Sequence, residues 1–322
     1  MRFSRSYPHS ALPLYKEFSK PTLTYRSSRQ ILIIGLAYII LILILINLFH
    51  FLPYHKSKYS SIKNLDYSFI PPNPSHSDLQ DLVIVAGHAI FLGNGLEKVE
   101  QDDNWILEDF QKGGHVRTFL NHIKKGIELA QQNTKALLVF SGGQTRPAAG
   151  PMSEAQSYYT LAQKFNLFSA EENSHLIIDR MTTEEYARDS YENLLFSICR
   201  FREVTGHYPR NITVIGFEFK RKRFLDIHRA AIKFPLDRFT YIGIDSTGVR
   251  SNTVKIDNAL EPFRHDIYAC HSGILRNKKL ARNPFRRRHP YYLSCPSLSD
   301  LISYCPQNPT SIFPNKLPWE TS

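Results

Sequence analysis

The sequence predicts an α/β fold: a Rossmann-like, largely parallel sheet of about five strands with helices on both faces, preceded by one transmembrane helix. Three observations predict it. Short apolar runs alternate with longer segments of helical periodicity between residues 81 and 244, the pattern of a parallel sheet whose crossovers are helices. Glycine turns follow several of those runs, at Gly87-His88, at Ser141-Gly142-Gly143 and at Gly216-Phe217, and open α/β sheets bind ligands just past the carboxyl ends of their strands. Ahead of this region, residues 31–52 hold no Asp, Glu, Lys or Arg.

Residues 1–30 carry six Lys/Arg against one acid, Glu17, and read as a basic disordered tail. In residues 31–52, seventeen of 22 side chains are Leu, Ile or Phe. Such a run crosses a hydrocarbon core of roughly 30 Å, so the lipid bilayer is the first partner expected. No small-x-small cleavage site follows, which favours a retained signal-anchor helix over a cleaved signal peptide. Four Lys/Arg lie in the fifteen residues before the span and three in the fifteen after it. With two further arginines upstream, this predicts a single-pass type II protein of the endoplasmic reticulum or Golgi with a lumenal domain. The Arg- and Ser-rich, acid-poor N-terminus makes a mitochondrial membrane the alternative. Residues 53–80, with PPNPSHS, read as an extended polar stalk.

The α/β domain is expected over residues 81–268. Strands are predicted at 81–87, 136–140, 175–178, 212–216 and 239–244. Helices are predicted at 116–132, with the stripe Phe119, Ile123, Ile127 and Ala130, and at 153–165, opened by a Ser153/Gln156 capping box. Two more follow: about 182–202, opened by Thr182/Glu185, and 221–234, with a further helix at 258–268. Residues 269–322 read as an irregular, Pro-rich, basic extension. Its stretch 276–288 packs seven Lys/Arg into thirteen residues and is expected to be a solvated, lipid-attracted face.

A formal charge of +11 and a pI near 9.4 invite a nucleic-acid partner. Much of that excess lies before residue 30 and in residues 276–288, outside the expected core, which disfavours nucleic acid. Cys199, Cys270, Cys295 and Cys305 show no CxxC spacing of zinc or redox sites. Cys199 falls among apolar residues and reads as packing. One disulfide among the other three fits an oxidising lumen.

The turns after the strands are expected to meet at one crevice. The amides of Ser141, Gly142 and Gly143 would form a concave anion nest, with the next helix N-terminus adding partial positive charge. Arg146 would sit at its rim, and Ser153 and Glu154 at the helix start. Along the helix 182–202, Glu184, Arg188 and Glu192 are four apart and share a face, with Asn193 beside them. Lys220 and Arg223 open the segment after Gly216. This set points to an anionic small molecule or a phosphate-bearing lipid headgroup. Glu154 and Glu192 are the candidate general bases or metal carboxylates, and Asn193 a positioning amide. Ser153 is also explained as a helix cap and His88 as a packed loop histidine. No Ser/His/Asp ordering supports Ser141 as a nucleophile.

SGGQTR with SEAQSY, then ARDSYENL, then a strand followed by FKRKRF resembles the domain of unknown function shared by bacterial SanA, ElyC and YdcF proteins. The resemblance covers roughly residues 81–244. It rests on Ser141, Gly142, Gly143, Ser153 and Glu154, on Ala187, Arg188, Ser190, Glu192 and Asn193, and on Phe219 and Arg223. RNPFRRRHPYY looks like a fungal branch. Lys220 stands where the family has histidine, and Gly87-His88 replaces a more glycine-rich first turn. The resemblance implies a Rossmann-like sheet with a pocket at its carboxyl edge, on a membrane-anchored protein tied to envelope integrity and lipid-carrier metabolism. The YdcF branch implies S-adenosylmethionine as a cofactor; a divalent metal on the two carboxylates is the other candidate. The function expected is phosphoryl or glycosyl-phosphate transfer or hydrolysis at a membrane surface. The alternative is a non-catalytic nucleotide or S-adenosylmethionine binding module with a partner-docking tail.

Overall fold

The computed structural model describes residues 30–46, 76–93, 95–168, 177–245, 260–271 and 273–320, and the chain divides into two units between Asp66 and Tyr67. In the first unit, residues 30–46 form helix α1, whose Leu and Ile side chains are exposed along its length. Among the described residues no helix is long and apolar enough to cross a membrane. The expected span of 31–52 runs beyond the described part of α1: residues 47–52 lie outside it, as do the tail before residue 30 and residues 53–75 of the expected stalk.

The second unit is built on five parallel strands. In chain order these are β1 (Asp81–Ala86), β4 (Ala136–Ser141), β5 (Met181–Glu184), β6 (Asn211–Gly216) and β7 (Phe239–Gly243), while β2 (Ile90–Phe91) and β3 (Trp105–Ile106) form a separate antiparallel pair. The spatial order is β5-β4-β1-β6-β7. The chain therefore starts at the centre, winds to one edge and returns to build the other. The switch falls between β1 and β6, and open α/β sheets bind their ligands above the carboxyl ends of the strands at such a point.

Alternation along each strand assigns its two faces. Val83, Val85, Leu138 and Phe140 point into a core with Phe119 and Ile123 of α2 (His115–Gln132) and Tyr158 and Leu161 of α3 (Glu154–Phe168). Leu82, Ile84, Leu137 and Val139 point the other way, against Leu194 and Ile198 of α4 (Ser190–Thr205). That second core also buries Tyr291, Leu298, Leu301, Phe313 and Trp319. The C-terminal segment, expected to be an irregular extension, thus covers one face of the sheet, and it contains helix α5 (Ile274–Ala281). At the other end, Leu79 is buried and Gln80 N–H donates to Lys135 O, so the domain begins before residue 81.

Three local expectations are corrected. The third strand lies at Met181–Glu184 rather than 175–178; Ile177 and Ile178 form a helical turn, and residues 175–176 lie outside the described residues. Thr182 and Glu185 do not cap a helix. Thr182 is in β5 with its hydroxyl on Arg200, and α4 starts eight residues later, where the Asp189 carboxylate accepts from Glu192 N–H. The segment predicted as helix 221–234 is interrupted by a π-helical turn, Arg223–His228, in which Arg229 N–H reaches Phe224 O. Single π turns inside helices occur frequently at functional sites. Of the helix predicted at 258–268, residues 260–265 are helical and 258–259 lie outside the described residues.

Candidate functional site

Glu154 is the first residue of α3 and is 5% exposed. Its Oε1 accepts a 2.5 Å hydrogen bond from Thr145 Oγ1. The rest of the side chain lies over two glycines that follow β1 and β4. A Cβ added to Gly87 would come within 2.7 Å of Glu154 Cβ, and one added to Gly142 within 2.7 Å of Glu154 Oε2. Both turns therefore require glycine because the carboxylate packs against bare backbone there. Ser153 accepts from Gln156 N–H at 2.9 Å and serves as the helix cap, with its side chain fully buried.

The expected anion nest is absent, because its amides are already used. Gly142 N–H donates to Glu184 O and Gly143 N–H to Ala187 O, at 2.9 and 2.7 Å. Ser141 Oγ is fully buried and donates to Glu184 Oε2 at 2.7 Å, within reach of Asn193 Oδ1 at 3.1 Å. Glu184 also accepts from Tyr186 N–H and the Tyr291 hydroxyl, and burial raises its pKa to about 7. Ser141, Asn193 and Glu184 thus form a polar brace beneath the glycine turn.

Basic side chains gather at the same edge of the sheet. Lys220 follows β6, and its Nζ lies 3.2 Å from Nδ1 of His88 in the turn after β1. Burial, with Arg223, Arg282 and Lys278 nearby, holds the Lys220 ammonium well below its usual range, while Glu154 acts in the opposite direction. His88 is 7% exposed, packs against Phe119, His122 and Phe217, and is kept neutral by burial and by Lys220. Arg223 sits over the Phe263 ring and is brought down to about 10 by burial. Lys278 of α5 is pushed down to about 8 by burial of its ammonium and by Arg282 and Arg223, although the residue as a whole stays exposed. Arg282 donates from Nη1 to Arg188 O at 3.1 Å. Arg146 is paired with Glu108, and its Nε and Nη2 are buried without a hydrogen-bond partner.

The structure therefore brings together Glu154, Lys220, Arg223 and Arg146 among the expected residues, and adds His88, Lys278 and Arg282. The other two basic residues of the FKRKRF run diverge: Arg221 pairs with Glu218 and donates to Tyr241 O, and Lys222 is exposed. Lys278 and Arg282 belong to the stretch expected to be a solvated charge run. Their four-residue spacing was visible, but which surface they meet depends on how the C-terminal segment packs.

Glu192 does not belong to this group. It accepts two hydrogen bonds from the Arg188 guanidinium, at 2.9 and 2.6 Å, and one from Arg188 N–H, and its Oε1 lies 3.3 Å from Lys279 Nζ. It lines a separate cavity of about 320 Å³ with Arg188, Lys279 and Tyr191, one that Glu154, Lys220 and Arg223 do not line. A carboxylate so fully engaged is a local brace, not a base. The expected ladder shrinks to this Arg188–Glu192 pair, since Glu184 ends β5. For metals, one cluster among the described residues brings three ligating side chains together, Cys270, His271 and Cys305. Its two sulfurs are joined in a disulfide, so no thiolates remain to hold an ion. Cys199 and Cys295 are buried free thiols.

Chemically, the arrangement offers a lysine–histidine pair whose lysine feels one carboxylate, Glu154, and the cations Arg223, Arg282 and Lys278. Such a site can hold an anion and abstract or deliver a proton next to it. The chain is similar to a Saccharomyces cerevisiae protein described as "Uncharacterized protein YOR238W", with 33% identity over 264 residues, covering 66% of this chain and 86% of the yeast protein. No family model matches the chain, and no solved structure does.

Proposed function

We propose that this chain, which belongs to the family of the yeast protein YOR238W, is a membrane-anchored enzyme acting on a phosphate-bearing small molecule or lipid headgroup held at the carboxyl edge of its sheet. One observation carries the reading: Arg223, Lys278 and Arg282 lie near enough to Lys220 to lower its affinity for protons, and Arg282 lowers that of Arg223 and Lys278 as well. Like charges held together in a partly buried cleft raise the free energy of the empty protein, and a bound anion removes that cost. In this reading the cations take up charge on a phosphoryl group and Glu154 accepts the proton of the attacking oxygen. The resemblance to SanA, ElyC and YdcF supports a reaction at a membrane surface. So does α1, whose apolar run continues in sequence to Leu52 without a charge. The Cys270–Cys305 disulfide supports an oxidising compartment and hence a lumenal domain.

The test is a thermal-shift series on the full chain in detergent with inorganic phosphate, sugar phosphates and polyprenyl phosphates, followed by an assay for released phosphate. Phosphate compounds should stabilise the protein, and Lys220→Met with Arg223→Gln should remove the effect. Glu154→Gln should bind and fail to turn over. If no phosphate compound stabilises the protein, the reading is wrong; if Glu154→Gln turns over normally, Glu154 is not the base. Binding without turnover in the native chain would instead make it a non-catalytic binding module.

A further inference from the structure

The bridge between Cys270 and Cys305 has a histidine at its side. His271 follows Cys270 in the chain, and its Nε2 lies 3.7 Å from Cys305 Sγ. The three ligating atoms, two sulfurs and one imidazole nitrogen, lie within 4.8 Å of one another. Cys305 is exposed and Cys270 and His271 are half-buried, so solvent reaches the group from one side. The two chain segments are held together by more than the bridge. The Asp266 carboxylate accepts from Cys270 N–H at 3.2 Å and from His271 N–H at 2.9 Å. Ile267 N–H donates to Pro309 O at 3.2 Å. The rings of Tyr268 and Tyr304 meet edge to face with centroids 5.2 Å apart, and the Tyr268 hydroxyl accepts from Phe313 N–H. None of these contacts needs the S–S bond, so they keep both sulfurs and the imidazole near one point when it opens.

We propose that Cys270, His271 and Cys305 bind a zinc ion once their disulfide is reduced, with water as the fourth ligand. Bridge and metal site are then two exclusive states of one cluster. Reduction by a dithiol transfers two electrons and two protons to the bridge: the S–S bond breaks, two thiols form, and the dithiol closes to its own disulfide. Zinc takes both sulfurs as thiolates and releases their two protons to solvent. Two thiolates and an imidazole suit zinc, whereas calcium and magnesium take oxygen ligands. Zinc bonds of about 2.3 Å to sulfur and about 2.0 to 2.1 Å to nitrogen, at a tetrahedral angle, set ligand atoms roughly 3.5 to 3.8 Å apart. The 3.7 Å between His271 Nε2 and Cys305 Sγ falls in that range, so the main movement left is the parting of the two sulfurs. In an oxidising lumen the disulfide state prevails. The zinc state belongs to chains not yet oxidised or met by a dithiol reductant.

The full chain in detergent, reduced with excess dithiothreitol and freed of it by anaerobic gel filtration, is titrated with cobalt(II) as a spectroscopic stand-in for zinc. The reduced chain should take up one cobalt per molecule, with thiolate charge-transfer and tetrahedral visible bands that zinc bleaches. The oxidised chain should show neither. Zinc should also raise the melting temperature of the reduced chain. His271→Ala should lower zinc affinity about tenfold or more and leave the melting temperature of the oxidised chain unchanged. Cys199→Ala with Cys295→Ala should leave the bands in place, since those buried thiols are not part of the cluster. Should that double variant fold poorly, zinc-dependent protection of Cys270 and Cys305 from alkylation, read by mass spectrometry on the native sequence, assigns the ligands instead. Absence of cobalt bands together with no zinc-dependent rise in melting temperature would overturn the site. Full affinity in His271→Ala, or bands that follow Cys199 and Cys295, would overturn this ligand set.

Discussion

Lys220 Nζ and His88 Nδ1 lie 3.2 Å apart, so a single hydrogen bond joins the turns after β1 and β6 across the switch point of the sheet. His88 is buried and Lys220 partly buried, and both have their proton affinity lowered. A base whose folded pKa is depressed destabilises the folded state at low and neutral pH, and the cost disappears as pH rises towards its unfolded value near 10.5. Lys220→Met keeps the length of the side chain and removes the charge. It should raise the melting temperature at pH 7.5, by about 2–4 °C for each kcal/mol recovered, and abolish stabilisation by phosphate. Differential scanning with and without phosphate reads both effects. A lower melting temperature with phosphate binding intact would mean that Lys220 is a structural partner of His88 and not an anion ligand.

What was legible in the sequence follows from where the information lies. β1, β4, β6 and β7 carry apolar residues on both faces, and their ends fall within a residue of expectation. β5 was misplaced because MTTE is polar; it is held by pairing with β4 and by the buried Glu184 carboxylate, which no local pattern announces. Glu154, Lys220 and Arg223 were found because residues just past strand ends face the crevice whatever the details. The glycine nest failed because the fate of its amides depends on the carbonyls of Glu184 and Ala187, more than forty residues away. Lys278 and Arg282 lay further still in sequence, and only the packing of the C-terminal segment brings them to the cleft.

Gly142 and Glu154 provide a test of the turn itself. A methyl group at Gly142 would sit 2.7 Å from Glu154 Oε2 and 2.8 Å from its Cβ. Gly142→Ala should cost about 1–3 kcal/mol, the usual range for overpacking. Because both contacts are to one side chain, the loss should be smaller in a Glu154→Gly background. A double-mutant cycle by urea denaturation measures the coupling. Strict additivity would show that the strain lies elsewhere.

Glu184 sets a pH dependence whose sign is fixed by its environment. Burial raises its pKa from 4.5 to about 7 against the opposing hydrogen bonds from Ser141, Tyr186 and Tyr291. The folded protein therefore holds a proton that the unfolded chain has released between about pH 4.5 and 7. Stability contributed in acid is lost as pH rises through that window and is level above it, a change on the order of 3 kcal/mol. Glu184→Gln should flatten this dependence. Denaturation midpoints at pH 5 and 7.5 for both proteins measure it, and equal slopes would show that another group is responsible.

The disulfide Cys270–Cys305 ties the segment that carries α5, and with it Lys278 and Arg282, across 35 residues of chain. Closing a loop of that length restricts the unfolded ensemble by about 3–4 kcal/mol. Cys270→Ser with Cys305→Ser should therefore lower stability by about that amount. It should also weaken phosphate binding, because the cations of α5 are no longer held at the cleft in every molecule. Replacing the buried thiol Cys199 by Ala costs packing but leaves that tether in place, so it should lower the melting temperature without changing the phosphate-induced shift. The comparison separates general loss of stability from loss of the bound arrangement. An unchanged phosphate shift in the serine variant would mean that the burial of Tyr291, Leu298 and Trp319 suffices to place α5, and that the bridge acts on the unfolded chain alone.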